Sequence, residues 1–311
     1  MTFRPSTRRI LCLWFPDWPI QRRLAAQPEL ERSILLLTES SSRGEFVRHA
    51  NGLAQQRGIT VGMPVSEARS FVRPRDRLIC EPVNLEHDRR GLIQLALQAE
   101  RFSFCVGLED ADRPECLLLD ITGLAHLFGN EASLAQRISE WLSAQRLQEQ
   151  IAIAGTISQA WAVAHIAEPS HRLAILTADD QSILESFPLT MLRLSDAATL
   201  KLHRLGLQTV SQLLSLDRPA LLRRFGDELL QRLDQFTGQR LELITPCRPW
   251  PRYRVERQLE EGLVHPEAIE HLSSSLLEQL LELLQPWRLG LRHLRGELRL
   301  DDRTSRAIDL R

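Results

Sequence analysis

Carboxylates are the side chains with the most obvious chemical potential in this chain, and they crowd into EDADRPE at residues 109–115. Glu109, Asp110, Asp112 and Glu115, with Asp120 shortly after, offer the hard oxygen ligands that magnesium requires. The same segment reads more simply as a solvated turn rich in Asp and Pro. Asp120 begins DITG, where its carboxylate can accept backbone N–H bonds from the turn that follows. The five cysteines (Cys12, Cys80, Cys105, Cys116, Cys247) include no C-x-x-C pair, which points away from a zinc site and from a disulfide framework.

Phosphate recognition is the second chemistry the residues could perform. Leu205-Gly206-Leu207 lies between two helical patterns, and the second starts near Thr209, which is the order of a helix-hairpin-helix. Gly206 permits a tight hairpin, Arg204 and Thr209 flank it, and backbone N–H groups at a helix start can bind a phosphate. Residues 201–240 carry seven basic and four acidic side chains, a mildly positive balance. Farther on, Arg252 and Arg254 share one face of an alternating segment, and Arg295 and Arg299 share one face of another. Both pairs suit a backbone groove, and a solvated sheet face accounts for them equally well. Residues 241–311 hold 11 arginines against 12 acids, so that region is not basic as a whole. Lys201 is the only lysine, so phosphate contacts fall to arginine, whose fork geometry suits phosphate oxygens.

These groups need elements to hold them. At 311 residues the chain is long enough for more than one core. A net charge of −1 does not advertise nucleic acid, so that case rests on local elements. Arg8-Arg9 followed by ILCLWF mimics a signal peptide only briefly before Pro16 and Asp17 break it, so no signal peptide or membrane span is expected. Apolar runs at residues 10–15, 33–37, 116–121 and 150–154 read as strands. Residues 43–75 read as helix and turn, punctuated by Gly58, Gly62 and Pro64. Helices are expected at 84–101, with Leu92, Leu95, Ala96 and Ala99 inward, and at 131–145, 158–167 and 266–284. Pro246, Pro249 and Pro251 read as a linker, and residues 252–258 and 294–300 alternate as strands do. The alternation of strands and helices suits an α+β fold.

In order, RILCLWFPD, GITVGMPVSEA, LLLDITGLAHLFGNEASL and AGTISQAWAVA resemble segments of Y-family (lesion-bypass, UmuC-like) DNA polymerases, in particular the ImuB-like branch. The resemblance covers essentially the whole chain. It implies a palm at 1–40 and 83–175, fingers at 41–82, a helix-hairpin-helix thumb at 176–243 and an incomplete little finger at 244–311. Relative to the family the chain reads as C-terminally truncated.

Palms of this family hold two magnesium ions about 4 Å apart for nucleotidyl transfer. The positions that supply their carboxylates align with Trp14, Glu115 and Cys116, and cysteine is too soft a ligand for magnesium. Asp17 lies three residues beyond Trp14, ~10 Å along an extended chain and on the other face if the strand continues. The triphosphate-gripping positions align with Gly52 and Gln55, and the sugar-screening pair with Trp18-Pro19. The resemblance therefore implies a non-catalytic homologue with no catalytic residue, no metal and no cofactor. Such a protein would act in the cytoplasm in damage-induced (SOS) translesion synthesis, holding damaged primer-template and recruiting an error-prone polymerase. An active bypass polymerase with a degenerate site and a plain DNA-binding module are the alternatives. Binding to the sliding clamp and other mutasome proteins is expected of the full-length family. QSILESF at residues 181–187 resembles a clamp-binding peptide, although the spacing of Ile183, Leu184 and Phe187 reads first as a packed helix.

Overall fold

The structure is a computed structural model that describes residue 3 and residues 7–166, 172–247, 255–259, 262–263, 265–285, 294–299 and 305–310. The chain divides into two compact units, Met1–Arg248 and Pro249–Arg311.

The first unit is built on a five-stranded sheet. At its centre lies β1 (Ile10–Trp14), antiparallel to β6 (Cys116–Asp120) on one side and to β7 (Gln150–Ala154) on the other. The short strands β5 (Val106–Leu108) and β8 (Leu173–Ile175) close the two edges in the order β5-β6-β1-β7-β8. The three central strands are nearly all apolar because both faces of the sheet are covered. Leu11, Leu13, Leu117 and Leu119 face a core shared with α4 (Leu85–Ala99) and α5 (Glu131–Ser143). Ile10, Cys12, Cys116 and Leu118 face the other layer, headed by α6 (Ile157–Ile166). Helix α4 turns Leu92, Leu95, Ala96 and Ala99 inward as its period requires, and the Asn84 side chain caps its start by accepting from the His87 N–H.

Between β1 and α4 the chain forms α1 (Trp18–Ala26) and a second sheet, in which β2 (Ile34–Ser41) lies between antiparallel β3 (Gly44–Ala50) and parallel β4 (Leu78–Pro82). Residues 43–75 were expected to be helix and turn, and β3 corrects that reading. Val47 and Ala50 are its only fully buried residues, so its pattern lacks the apolar run of a central strand. Short helices α2 (Gly52–Gln56) and α3 (Val65–Ala68) pack with this sheet around Ile34, Leu36 and Ile59.

After β8 the unit is helical: α7 (Gln181–Glu185), α8 (Asp196–Arg204), α9 (Val210–Leu214), α10 (Arg218–Phe225) and α11 (Asp227–Thr237). The segment beyond α11 returns along β5, where the Cys247 N–H donates to the Val106 carbonyl at 2.9 Å. A Cβ on Gly107 would stand 2.2 Å from the Thr245 carbonyl oxygen, so only glycine allows that approach. The first proline of the expected linker, Pro246, is thus bridged to Gly107.

The second unit contains α12 (Pro266–Leu284) and a hairpin of β9 (Leu294–Arg299) with β10 (Ser305–Leu310). The helix and β9 match the alternation seen in the sequence. Of the other expected strand, residues 252–254 lie outside the described residues and 255–258 form no strand.

Candidate functional site

The centre of the five-stranded sheet brings Trp14 of β1 directly opposite Cys116 of β6. Glu115 precedes β6, its carbonyl accepting the Phe15 N–H at 2.9 Å and its carboxyl facing the Trp14 indole N–H at 3.5 Å. His165 of α6 lies between two indoles, with its ring centroid 4.3 Å from that of Trp14 and 3.7 Å from that of Trp161, each pair inclined by 24°. The His165 Nδ1–H donates to the Trp161 carbonyl at 2.7 Å, which leaves Nε2 facing the Cys116 sulfur at 3.9 Å. A stack of three rings therefore covers the point where the two strands meet.

Glu109 completes this arrangement and overturns its reading as part of a solvated turn. It is only 9% exposed, and one carboxylate oxygen accepts the backbone N–H groups of Glu115 at 2.6 Å and Cys116 at 3.0 Å. The other oxygen accepts the Trp161 indole N–H at 2.6 Å. All of these partners come from within the protein, so Glu109 serves the stack and the start of β6. Asp110 and Asp112 are exposed at the surface of the turn, and Asp120 accepts from Arg8 and from the Thr122 N–H.

The electrostatics favour neutral groups here. Burial pushes the Glu115 carboxyl above its ordinary range, an effect the Trp14 hydrogen bond only partly offsets. Burial, with the Cys12 thiol alongside, holds the Cys116 thiol well above its usual range. Burial also lowers His165 below 6.5, against the pull of the Trp161 carbonyl. The donors present do not fit a magnesium pair: an indole, a protonated thiol and one carboxyl that resists ionisation replace hard anionic oxygens. Among the described residues, no group of three or more His, Cys, Asp or Glu is placed to hold a metal. Asp17 belongs to neither strand; it adopts a left-handed conformation at the start of α1 and faces His49 at 3.4 Å.

Beside the stack lies a cleft of about 260 Å³ between the two sheets, lined among others by Trp18, Arg48, Asp88, Arg89, Arg113 and Glu115. Glu115 thus belongs both to this cleft and to the aromatic stack. Arg113 donates to Glu39 at 2.5 Å across the cleft mouth, and Arg22 pairs with Asp88 at 2.8 Å behind it. Gly52 starts α2, and the Gln55 side chain donates to the Ala50 carbonyl at 3.1 Å.

The remaining sequence candidates fall elsewhere. Gly206 has φ of 78° and joins α8 to α9, and Arg204 is exposed at the end of α8. The N–H groups of Gln208 and Thr209 both donate to the Gln212 side chain, at 2.6 and 3.2 Å, and the Val210 N–H donates to the Phe187 carbonyl. The hairpin donors expected to face a phosphate are therefore already bonded, which leaves Arg204 as its cationic feature. In α7, Ile183 is 47% exposed, while Leu184 and, just beyond the helix, Phe187 are 3% and 5% exposed and packed in the core. A clamp-binding peptide would need those two side chains free, so the packed-helix reading holds. Arg252 and Arg254 lie outside the described residues. Arg295 and Arg299 lie four residues apart in β9, opposite Asp309 and Ser305 of β10.

Trp161 and His165 were missed in the sequence, although their i, i+4 spacing places them on one helix face. The structural role of Glu109 gave no signal, because its partners arrive from β6 and α6.

Residues 13–165 match the impB/mucB/samB family. Protein ImuB of Caulobacter vibrioides, in strains NA1000 / CB15N and ATCC 19089 / CIP 103742 / CB 15, is 37% identical over 181 residues, which are 56% of this chain and 38% of that protein. The chain therefore spans much less than two thirds of the length of these relatives. The insertion ternary complex of Dbh DNA polymerase superposes with a TM-score of 0.62 at 15% identity, over 97% of this chain and 87% of that one. DinB from Sulfolobus solfataricus superposes at 0.58 with the same identity and coverage. Identity this low speaks for the fold alone, which is a mixed α+β polymerase fold. Residues 13–165 are therefore similar to the impB/mucB/samB family, and 56% of the chain is similar to part of ImuB.

Proposed function

We propose that this chain is a non-catalytic Y-family polymerase homologue that acts as an adaptor in translesion DNA synthesis. It holds primer-template and helps to recruit an error-prone polymerase of another family. The observation that carries this reading is Trp14 opposite Cys116, with His165 stacked on Trp14 where two metal-binding carboxylates would be needed. In this reading the five-stranded sheet is the palm, residues 41–82 are the fingers, residues 176–243 the thumb and residues 244–311 part of a little finger. DNA contacts fall to Arg204 in the thumb, with Gly206 and Thr209 shaping the hairpin that places it, and to Arg252, Arg254, Arg295 and Arg299 beyond it. The sliding clamp and other mutasome proteins are the expected partners of a full-length relative, and the site of action is the cytoplasm. No helix among the described residues is long and apolar enough to cross a membrane.

The test is primer extension by the purified chain with magnesium and all four deoxynucleoside triphosphates, alongside anisotropy with labelled primer-template. Binding without extension is expected. Extension that disappears in Glu115→Ala would overturn the non-catalytic reading, and absence of any DNA binding would overturn the adaptor reading.

A further inference from the structure

The Trp14–His165–Trp161 stack does more than fill space. A chain that needed only to plug this position could do so with aliphatic side chains, as the rest of β1 does with Ile10, Leu11 and Leu13. Instead the two indoles are only partly buried and are held in fixed orientation. Trp161 is pinned by Glu109 at 2.6 Å, Trp14 faces Glu115, and His165 is locked by its bond to the Trp161 carbonyl. His165 covers one face of each indole, and the Arg193 guanidinium stands 6.0 Å from the centre of the Trp161 ring. Trp14 is half-buried, and among the described residues His165 is its only ring partner.

The surroundings suit a nucleobase. Every base has a π-face, so an oriented indole accepts unpaired bases with little regard to sequence. The adjoining cleft shares Glu115 with the stack and is lined by Arg48, Arg89 and Arg113; Arg48 and Arg113 flank Glu39, so the exposed Arg89 guanidinium is the first able to meet a phosphodiester. Burial biases the Glu115 carboxyl toward its neutral form, which softens repulsion of a polyanion at the point where cleft and stack meet.

We propose that the outer face of Trp14 is a stacking platform for an unpaired base of single-stranded DNA, with the strand's phosphates directed toward the arginine-bearing cleft. This rests on the DNA-binding part of the proposed function and adds a ligand class, single-stranded DNA, and a site for it.

The test compares a labelled oligothymidylate with a blunt duplex of equal length, by anisotropy at low salt. Trp14→Ala should weaken oligothymidylate binding by roughly 5- to 150-fold, the range for loss of one base–aromatic stack, and leave duplex binding unchanged. Trp14→Phe, which keeps a π-face, should retain most of the affinity. In the unaltered protein, ultraviolet crosslinking of an oligonucleotide carrying 5-iododeoxyuridine should label the peptide containing Trp14, a readout that does not depend on how the variants fold. Equal oligothymidylate affinities for the unaltered chain and Trp14→Ala, or crosslinks confined to other peptides, would overturn the platform while duplex binding stands. Loss of all DNA binding by the unaltered chain would remove both this inference and the adaptor reading.

Discussion

Replacing Trp161 by phenylalanine isolates one bond in the aromatic stack. Phenylalanine keeps an aromatic ring against His165 but cannot donate to Glu109, whose second oxygen then loses its only described partner. Glu109 is 9% exposed, so water replaces that donor poorly. A hydrogen bond to a charged group contributes about 1.5–3 kcal/mol, and the smaller ring adds a minor packing loss, so ~2 kcal/mol of destabilisation is expected. For a folding unit of this size, each kcal/mol moves the melting temperature by about 2–4 °C, which predicts a drop of about 4–8 °C. Thermal melting, followed by near-ultraviolet circular dichroism so that aromatic packing is the signal, is the assay. Glu109→Gln supplies the control. Its single carbonyl oxygen can serve either the two backbone donors or the indole, so Trp161→Phe should cost about 1 kcal/mol or less in that background. A loss within about 0.5 kcal/mol of zero, as for an ordinary surface change, or an equal loss in both backgrounds, would refute the assigned role of Glu109.

Three further outcomes follow from the same geometry. Glu115 has its folded pKa raised by burial, so its contribution to stability is full below its ordinary value of 4.5 and is lost as pH rises through the folded value. Glu115→Gln should therefore melt higher than the unaltered chain at pH 7, with the gap closing below pH 4.5, and His165, common to both proteins, cancels in the difference; a gap that widens on acidification would contradict this. Gly107→Ala would set a methyl group against the Thr245 carbonyl oxygen, forcing the segment that follows α11 off β5 at a cost of about 1–3 kcal/mol. Faster thiol labelling of Cys247, located by peptide mass spectrometry, should accompany it, and unchanged labelling would show that the segment adapts. Arg204→Glu should weaken duplex binding at low salt, with the deficit shrinking as salt rises, and identical affinities at low salt would remove Arg204 from the interface.

Much of the fold was legible because of how its strands and helices are buried. The central strands are covered on both faces, so ILCLW, CLLLD and QIAIA stand out as apolar runs, and β7 falls at the residues expected of it. Helices α4 and α12 carry long amphipathic patterns, which survive local exceptions such as buried Asp88. Strands β3, β4, β5 and β8 were not legible. They are short or lie at sheet edges. Their own residues carry little of the signal.

The site divides in the same way. Residue types alone determined which chemistry is missing: an indole and a thiol at Trp14 and Cys116 cannot supply hard oxygen, whatever surrounds them. Composition likewise determined that arginine must make the cationic contacts, since Lys201 is the only lysine. Only the tertiary structure decided what replaced the missing ligands. Trp14, Glu109, Glu115, Trp161 and His165 come from β1, the turn before β6 and α6, and no local pattern encodes that meeting. The same holds for the hairpin at Gly206, where its glycine could be read from sequence but the capture of the Gln208 and Thr209 N–H groups by Gln212 could not. A side chain's chemistry belongs to its residue, but its partners and its exposure depend on which distant segments fold against it.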